Sequence, residues 1–294
     1  MRWTPGGENE DVEDRRGESA GGGGGGFGFG GGGGFGGIHL GIGGTLIVLV
    51  LSLVFRTNLF QFLGNGGGDQ GAPVRSERPV SSDVGEERSK QLMVYVLRDV
   101  QKTWEKLLPE QGVQYRHAKL DLYRDSIRSA CGQAESATGP FYCPEDEKVY
   151  IDLGFFQELR TKFGAPGEFA QSYVLAHEIG HHVQKLLGIE GKVRRLQERD
   201  PSQENPLSVR LELQADCFAG VWAHSTEERQ IIDQNDVAQG LQAAASVGDD
   251  RLQRQASRQV RPETFTHGSS AQRMQWFKAG LEKGQIGACN TFTR

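Results

Sequence analysis

A histidine pair four residues apart, with a glutamate directly after the first histidine, constrains this chain of 294 residues more than any other feature. The stretch is His177-Glu178-Ile179-Gly180-His181, and its side chains converge only on a helix, where residues i and i+4 share one face. Both imidazoles can then bind one metal ion, while Glu178 reaches the water beside it. The pattern predicts a catalytic zinc site.

The residues around this motif support a helix over 168–187. Apolar side chains recur there at helical spacing, and Gly188 stands where a helix would end. Gly180 is unusual, because a glycine inside a helix costs about 1 kcal/mol relative to alanine. It predicts close approach of another backbone, although simple tolerance of the glycine is an alternative interpretation.

A catalytic zinc ion takes three protein ligands, so a third ligand must come from elsewhere in the chain. A second helical stretch over 207–223 carries Glu212 and Asp216, again four residues apart. Glu212 can complete a His2Glu site, and Asp216 can accept a hydrogen bond from the second nitrogen of a ligating histidine. The alternative is an ordinary solvated helix face, which the apolar neighbours of both carboxylates disfavour.

The two motifs, His177-Glu178-x-x-His181 and Glu212-x-x-Ala215-Asp216, resemble the Glu-zincin pattern. The surrounding sequence is similar to the bacterial neutral zinc metallopeptidase family of YpfJ-like membrane proteins over nearly the whole chain. The stretches that carry the resemblance are the N-terminal opening MRW…ENEDVEDRRG, GPFYCPEDEKVYIDLGFF (139–156), QSYVLAHEIGHHVQ (171–184), ELQADCFAGVWA (212–223) and THGSSAQRMQWFKAG (266–280). This resemblance implies a membrane-anchored zinc peptidase that acts on polypeptides and uses one zinc ion.

Carried over to this sequence, the family pattern implies that His177, His181 and Glu212 are the zinc ligands and that Glu178 is the general base. His267, in the segment Thr266-His267-Gly268, is similar to a histidine that lies across the cleft in other membrane-associated Glu-zincins. It is therefore a second catalytic candidate, as a donor to the oxyanion, although a capping or core histidine is the competing interpretation.

Residues 148–153, KVYIDL, alternate apolar and other side chains with the period of a half-buried strand. Zincins generally pair an extended substrate with an exposed strand edge, and this segment is the candidate for that edge. An interior hairpin strand is the alternative.

Composition divides the chain into four parts. Residues 21–37 are all glycine except for phenylalanines, so we expect a disordered, charged and Gly-rich segment over 1–37. The uncharged stretch 38–55 is long enough for a single transmembrane helix, and it lacks the short leader and cleavage site of a signal peptide. A flexible linker over 56–90 then leads to a metallopeptidase domain over 91–294.

The cysteines indicate on which side of the membrane the domain lies. All four follow the apolar stretch, and an even number in an exported domain predicts disulfides. The favoured pairs are Cys131–Cys143 and Cys217–Cys289. We therefore expect a single-pass membrane protein with an extracytoplasmic catalytic domain; buried thiols in a cytoplasmic domain are the alternative.

Net charge and helical periodicity indicate the excluded partners and the fold class. The net charge of −5 and the absence of a phosphate-binding loop argue against nucleic acid or nucleotide partners. The helical periodicities predict a helix-dominated, zincin-like α+β domain with a small sheet, helices near 91–107, 227–247 and 270–283, a hairpin around 139–153 and a loop over 188–206. A zinc-stabilised binding or chaperone-like module with little turnover is the alternative function, but it has no use for Glu178.

Overall fold

A computed structural model describes residues 1–18, 84–256 and 259–293 of the chain. Helices dominate this part, and short strands form two small sheets, which confirms the predicted helix-dominated α+β class. The helices are α1 (Val84–Leu107), α2 (Gly154–Thr161), α3 (Glu168–Leu186), α4 (Ile189–Arg199), α5 (Glu204–Glu228), α6 (Gln234–Ser246), α7 (Asp249–Ala256) and α8 (Ser270–Lys283). The strands are β1 (Val12–Asp14), β2 (Lys119–Tyr123), β3 (Ser126–Ser129), β4 (Gly132–Glu135), β5 (Phe141–Cys143) and β6 (Lys148–Asp152).

The larger sheet has the strand order β1-β2-β6-β5. Strands β1, β2 and β6 run parallel, and β5 pairs antiparallel with β6, as the predicted hairpin requires. Because strand side chains alternate between faces, Leu120, Leu122, Val149 and Ile151 all point into the helical core. The β3–β4 hairpin packs on the opposite face and encloses a smaller apolar cluster around Tyr150.

Three helices cross closely at the centre of the molecule. A Cβ atom at Gly180 of α3 would lie 3.0 Å from the carbonyl oxygen of Ala215 in α5. The glycine in the histidine motif therefore contacts another backbone, which is what an unfavourable glycine inside a helix predicted. Helix α5 packs against α8 in the same way, because Gly220 faces the backbone of Phe277 and Gly280 faces the backbone of Cys217.

Some predicted element boundaries were wrong. The expected loop over 188–206 contains α4, whose charged sequence hides its helical period and buries only Val193. The helix expected over 227–247 begins at Gln234, because the side chain of Asp233 caps it there, and α5 extends to Glu228. Helix α1 begins at Val84, inside the segment predicted to be a linker.

Residues 1–18 also differ from the prediction of disorder over 1–37. Strand β1 pairs with β2, and Arg16 forms an ion pair with Glu86 of α1 at 3.0 Å. A strand of three residues is too short to show a hydrophobic period, so no sequence pattern predicts this pairing. These residues fold together with the rest of the described domain.

Both predicted disulfides are present. Cys131 is bonded to Cys143, and Cys217 is bonded to Cys289. Among the residues that the structure describes, no helix is long and apolar enough to cross a bilayer. The transmembrane helix predicted over 38–55 and the linker over 56–83 lie outside the described residues.

Candidate metal centre

Two helices bring three potential metal ligands together. His177 and His181 lie one turn apart on α3, and Glu212 faces them from α5. The Nε2 atom of His177 is 3.2 Å from Oε2 of Glu212, and Nε2 of His181 is 3.5 Å from Oε1 of the same carboxylate. One ligand atom from each residue lies within 4.8 Å of the other two, so a single ion can contact all three.

Asp216 fixes the orientation of His177. Its Oδ1 lies 2.9 Å from Nδ1 of the imidazole, and the carboxylate is fully buried. Because a carboxylate only accepts, Nδ1 carries the hydrogen and Nε2 is the atom that faces Glu212. This is the hydrogen bond from a carboxylate to a ligating histidine that metal sites commonly use.

Gln184 fixes the orientation of His181 in the same way. The side-chain nitrogen of Gln184 donates to the carbonyl oxygen of Leu211 at 2.7 Å and to Oε1 of Gln214 at 3.2 Å. Its oxygen is therefore the acceptor for His181 Nδ1 at 2.9 Å. Both histidines thus present Nε2 toward the same point.

A buried cation lies beside these ligands. Arg273 of α8 donates through Nε to Oδ2 of Asp216 at 2.8 Å and through Nη2 to Oδ1 at 2.9 Å. The hydroxyl of Tyr173 also donates to Oδ1 of Asp216. Side chains from α3 and α8 therefore both donate hydrogen bonds to this carboxylate of α5, and together they fix its position.

The electrostatics of the site favour positive charge between the histidines and the carboxylates. Burial lowers the pKa of His177, but Asp216 and Glu212 outweigh it and raise that pKa to about 10. Burial raises the pKa of Glu212, but His181 and His177 outweigh it and hold that pKa well below its usual range. The two carboxylates therefore stabilise positive charge at the imidazoles, and a metal ion bound at Nε2 would replace the proton there.

Glu178 lies beside the ligands and is 8% exposed. Burial raises the pKa of its carboxyl group, while His177 and His181 act in the opposite direction. A carboxylate of this kind, one residue along the helix from a ligand, can accept a proton from a water molecule and release it again.

His267 is held in a tight turn by Asp249, the first residue of α7. One carboxylate oxygen of Asp249 accepts the backbone N–H groups of Thr266, His267 and Gly268 at 2.7, 2.6 and 3.0 Å. The other oxygen lies 3.2 Å from Nδ1 of the imidazole. Burial lowers the pKa of His267, but Asp249 and Glu212 outweigh it and raise the pKa, so the ring lies within electrostatic range of the candidate ligand Glu212.

His182 points away from the ligand cluster, as the helical geometry predicted. Its Nε2 donates to the carbonyl oxygen of Arg116 at 2.7 Å, and its Nδ1 accepts the hydroxyl of Tyr142 in β5 at 2.8 Å. Burial lowers the pKa of His182 to about 4, so the ring is neutral at pH 7. Strand β5 is thereby tied to the helix that carries the motif.

The proposed substrate edge over 148–153 was wrong. Strand β6 pairs with β2 on one side and β5 on the other, so it has no open edge. The alternation of apolar residues in β6 reports which side chains share a face of the sheet. It carries no information on whether the edges of the strand are paired. Within the described sheet, β5 is the outer strand on this side.

Asp216 was predicted from the sequence to orient a histidine, but sequence reasoning missed the other residues that hold the site in place. Gln184 follows His181 by three residues on the same helical face, a spacing that could have identified it. Tyr173 precedes His177 by four residues on α3, which also places it on the same helical face. Asp249 and Arg273 had no such signal, because they come from separate parts of the chain and only the tertiary fold brings them to the site.

Two histidines from one helix and a glutamate from a second match the ligand set that catalytic zinc sites of the His2Glu type use. The chain belongs to the family described as "Putative neutral zinc metallopeptidase", whose model matches residues 1–292. It is 45% identical over 294 residues to the uncharacterized protein YpfJ of Escherichia coli K12, covering 99% of both chains. It is 43% identical over 205 residues to the uncharacterized proteins Mb2605 of Mycobacterium bovis and Rv2575 of Mycobacterium tuberculosis, covering 66% of this chain and 67% of each relative. No solved structure matched it.

Proposed function

We propose that this protein is a zinc-dependent peptidase that binds one zinc ion through His177, His181 and Glu212 and hydrolyses polypeptides. The observation that carries the proposal is the convergence of these three ligands within 4.8 Å, with the carboxyl group of Glu178 buried beside them. Two imidazole nitrogens and one carboxylate oxygen suit zinc, and both imidazoles are already oriented by hydrogen bonds.

Zinc bound at these residues would polarise the substrate carbonyl and lower the pKa of a bound water molecule to about 7. Glu178 accepts a proton from the attacking water at its carboxylate. The same carboxyl group then delivers that proton to the amine that leaves as the peptide bond breaks. Its burial favours the first step, because the neutral acid is the more stable form there.

His267 stabilises the negative charge that develops on the substrate oxygen. Its Nδ1 donates to the carboxylate of Asp249, and the carboxylates of Asp249 and Glu212 raise the pKa of the ring and so favour its protonated form, in which Nε2 also carries a hydrogen and can donate toward the cleft. The turn that carries it is fixed by three backbone hydrogen bonds to the same carboxylate. Preorganised donors of this kind need no rearrangement during the reaction.

The substrate backbone pairs with β5. This strand is the outer member of the described sheet on the side of α3, and Tyr142 connects it to His182 next to a ligand. The disulfide between Cys131 and Cys143 joins the end of β5 to the β3–β4 hairpin. An extended peptide can add to such an edge through backbone hydrogen bonds, which favours recognition of polypeptide rather than of one side chain.

The test is to measure the zinc content and peptide cleavage of the full chain and of its Glu178→Gln variant. The full chain is required because residues 1–18 and 84–90 fold with the domain. We expect about one zinc ion per chain in both proteins and cleavage of a mixed peptide library by the unmodified protein alone. Glu212→Gln is the matched ligand variant, and it should lower zinc content as well as activity.

The outcomes separate the two function classes. Bound zinc with equal inactivity of both proteins would favour a zinc-stabilised binding module. The absence of zinc from the unmodified protein would refute the ligand assignment. The two disulfides support an extracytoplasmic location for the domain, because such bonds persist mainly in oxidising compartments.

A further inference from the structure

The N-terminal segment, residues 1–18, is joined to the domain by backbone pairing. In the parallel pair of β1 and β2, Val12 lies opposite Leu120, and Asp14 lies opposite Leu122. The N–H of Leu120 donates to the carbonyl oxygen of Asp11 at 2.7 Å, and the N–H of Arg15 donates to the carbonyl oxygen of Leu122 at 2.8 Å. Since β2 is itself paired with β6, the segment extends the central sheet of the domain.

Side chains tie the same segment to the sheet and to two helices. Glu13 forms an ion pair with Lys148 of β6 at 2.8 Å. The side chain of Arg16 is 7% exposed and pairs with Glu86 of α1. At the other end of the segment, the indole of Trp3 donates to Glu168, in the first turn of α3, at 2.8 Å. The contacts therefore cover almost the whole segment.

This docking conflicts with a single membrane crossing at residues 38–55. Paired strands lie about 4.8 Å apart, whereas the hydrocarbon core of a bilayer is about 30 Å thick. One crossing between residues 18 and 84 would place β1 and β2 on opposite sides of the membrane. A second copy of the chain inserted in the same orientation could not supply the missing strand either.

We propose that residues 1–18 and residues 84–293 lie on the same side of the membrane, so that the chain is not a single-pass protein. The disulfide at Cys143 lies in the same sheet as β1, which assigns both parts to an oxidising compartment. The inference depends on the contacts of β1 and not on the proposed peptidase activity.

Single added cysteines in the full chain test this arrangement, because all four natural cysteines are in disulfides. Glu10→Cys lies in the N-terminal segment and Glu198→Cys lies on α4, and both positions are exposed. Each variant is treated with a membrane-impermeant maleimide in right-side-out and in inverted vesicles. We expect both variants to be labelled in right-side-out vesicles and both to lose labelling in inverted vesicles. Labelling of the two variants in opposite vesicle orientations would overturn the proposal.

A crosslink gives an independent measurement in intact cells. Glu13 and Asp121 are register partners in β1 and β2, so their Cα atoms are about 4.8 Å apart, within the range that a disulfide spans. The double variant Glu13→Cys, Asp121→Cys should form the extra disulfide, detected as a shift in non-reducing electrophoresis. The matched pair Glu13→Cys, Glu198→Cys should not. If the first pair stays reduced while labelling places the two parts on opposite sides, β1 does not dock in the cell.

Discussion

Replacing Gly180 by alanine tests whether the crossing of α3 and α5 sets the metal site. Gly180 lies between His177 and His181, and it faces Ala215 across the helix crossing. Glu212 precedes Ala215 by three residues on α5. Any displacement at this crossing therefore changes the distance between Glu212 and both histidines.

The size of the effect follows from the contacts of the added methyl group. Its carbon would lie 3.0 Å from the carbonyl oxygen of Ala215 and 3.1 Å from its Cα, where ordinary contacts begin at 3.4 Å. The helices must separate by a few tenths of an ångström. Overpacking of this kind costs about 1–3 kcal/mol. Alanine stabilises a helix interior by about 1 kcal/mol relative to glycine, which offsets part of this cost. The metal-free protein should therefore lose no more than about 2 kcal/mol of unfolding free energy.

Zinc affinity should respond more strongly than stability. We expect Gly180→Ala to weaken zinc binding by about tenfold, since displaced support around a metal site typically costs that much or more. Competition with a chromophoric chelator measures the affinity, and denaturant unfolding of the metal-free protein measures the stability. Gly191→Ala on α4 is the matched control, because its new carbon meets only Arg195 Nη1 at 3.6 Å. If both variants gain stability and bind zinc equally well, the helix crossing does not position the ligands.

Three further changes address other parts of the structure. Arg273→Lys keeps a cation but loses the double contact with Asp216, so denaturant unfolding should report a loss of about 2–4 kcal/mol, and an unchanged midpoint would contradict this. Asp249→Asn loosens the turn that carries His267, so kcat in a peptide cleavage assay should fall more than about tenfold with zinc content unchanged; a loss of zinc instead would assign it a structural role. Burial raises the pKa of Asp121 to about 6, so the native protein keeps this proton to higher pH than the unfolded chain does, and unfolding free energy should fall by about 1 kcal/mol from pH 5 to pH 7.5. Asp121→Asn should remove that part of the pH dependence in thermal unfolding, and an unchanged slope would refute the assignment.

The metal helix and the glutamate helix were predictable because their chemistry is local. The spacing of His177 and His181 requires one helical face, and Glu212 and Asp216 repeat that spacing on the second helix. Gly180 was informative for the same reason, since a glycine with no local purpose indicated a tertiary contact. Both disulfide pairs are those of the favoured connectivity, one of three that four cysteines allow.

Features that depend on long-range pairing were not predictable. The sequence of β6 is compatible with an edge strand or an interior strand, and only the position of β5 decides between them. Helix α4 is amphipathic but highly charged, so this stretch was predicted to be a loop. Strand β1 has too few residues to show any period, and its place is set by the edge of β2.

Helices α3 and α5 could be predicted one by one, but the contacts that fix them relative to each other and to α8 could not. Helix α5 lies between α3 and α8, and small residues allow both crossings to be close. Arg273 reaches from α8 to Asp216 of α5, and Asp216 in turn orients His177 of α3. Displacement of any one of these helices would therefore change the position of His177 relative to Glu212, because buried hydrogen bonds connect all three helices. This arrangement explains why a motif of five residues indicates the chemistry, whereas the accuracy of the site depends on contacts spread over about a hundred residues, from Tyr173 to Arg273.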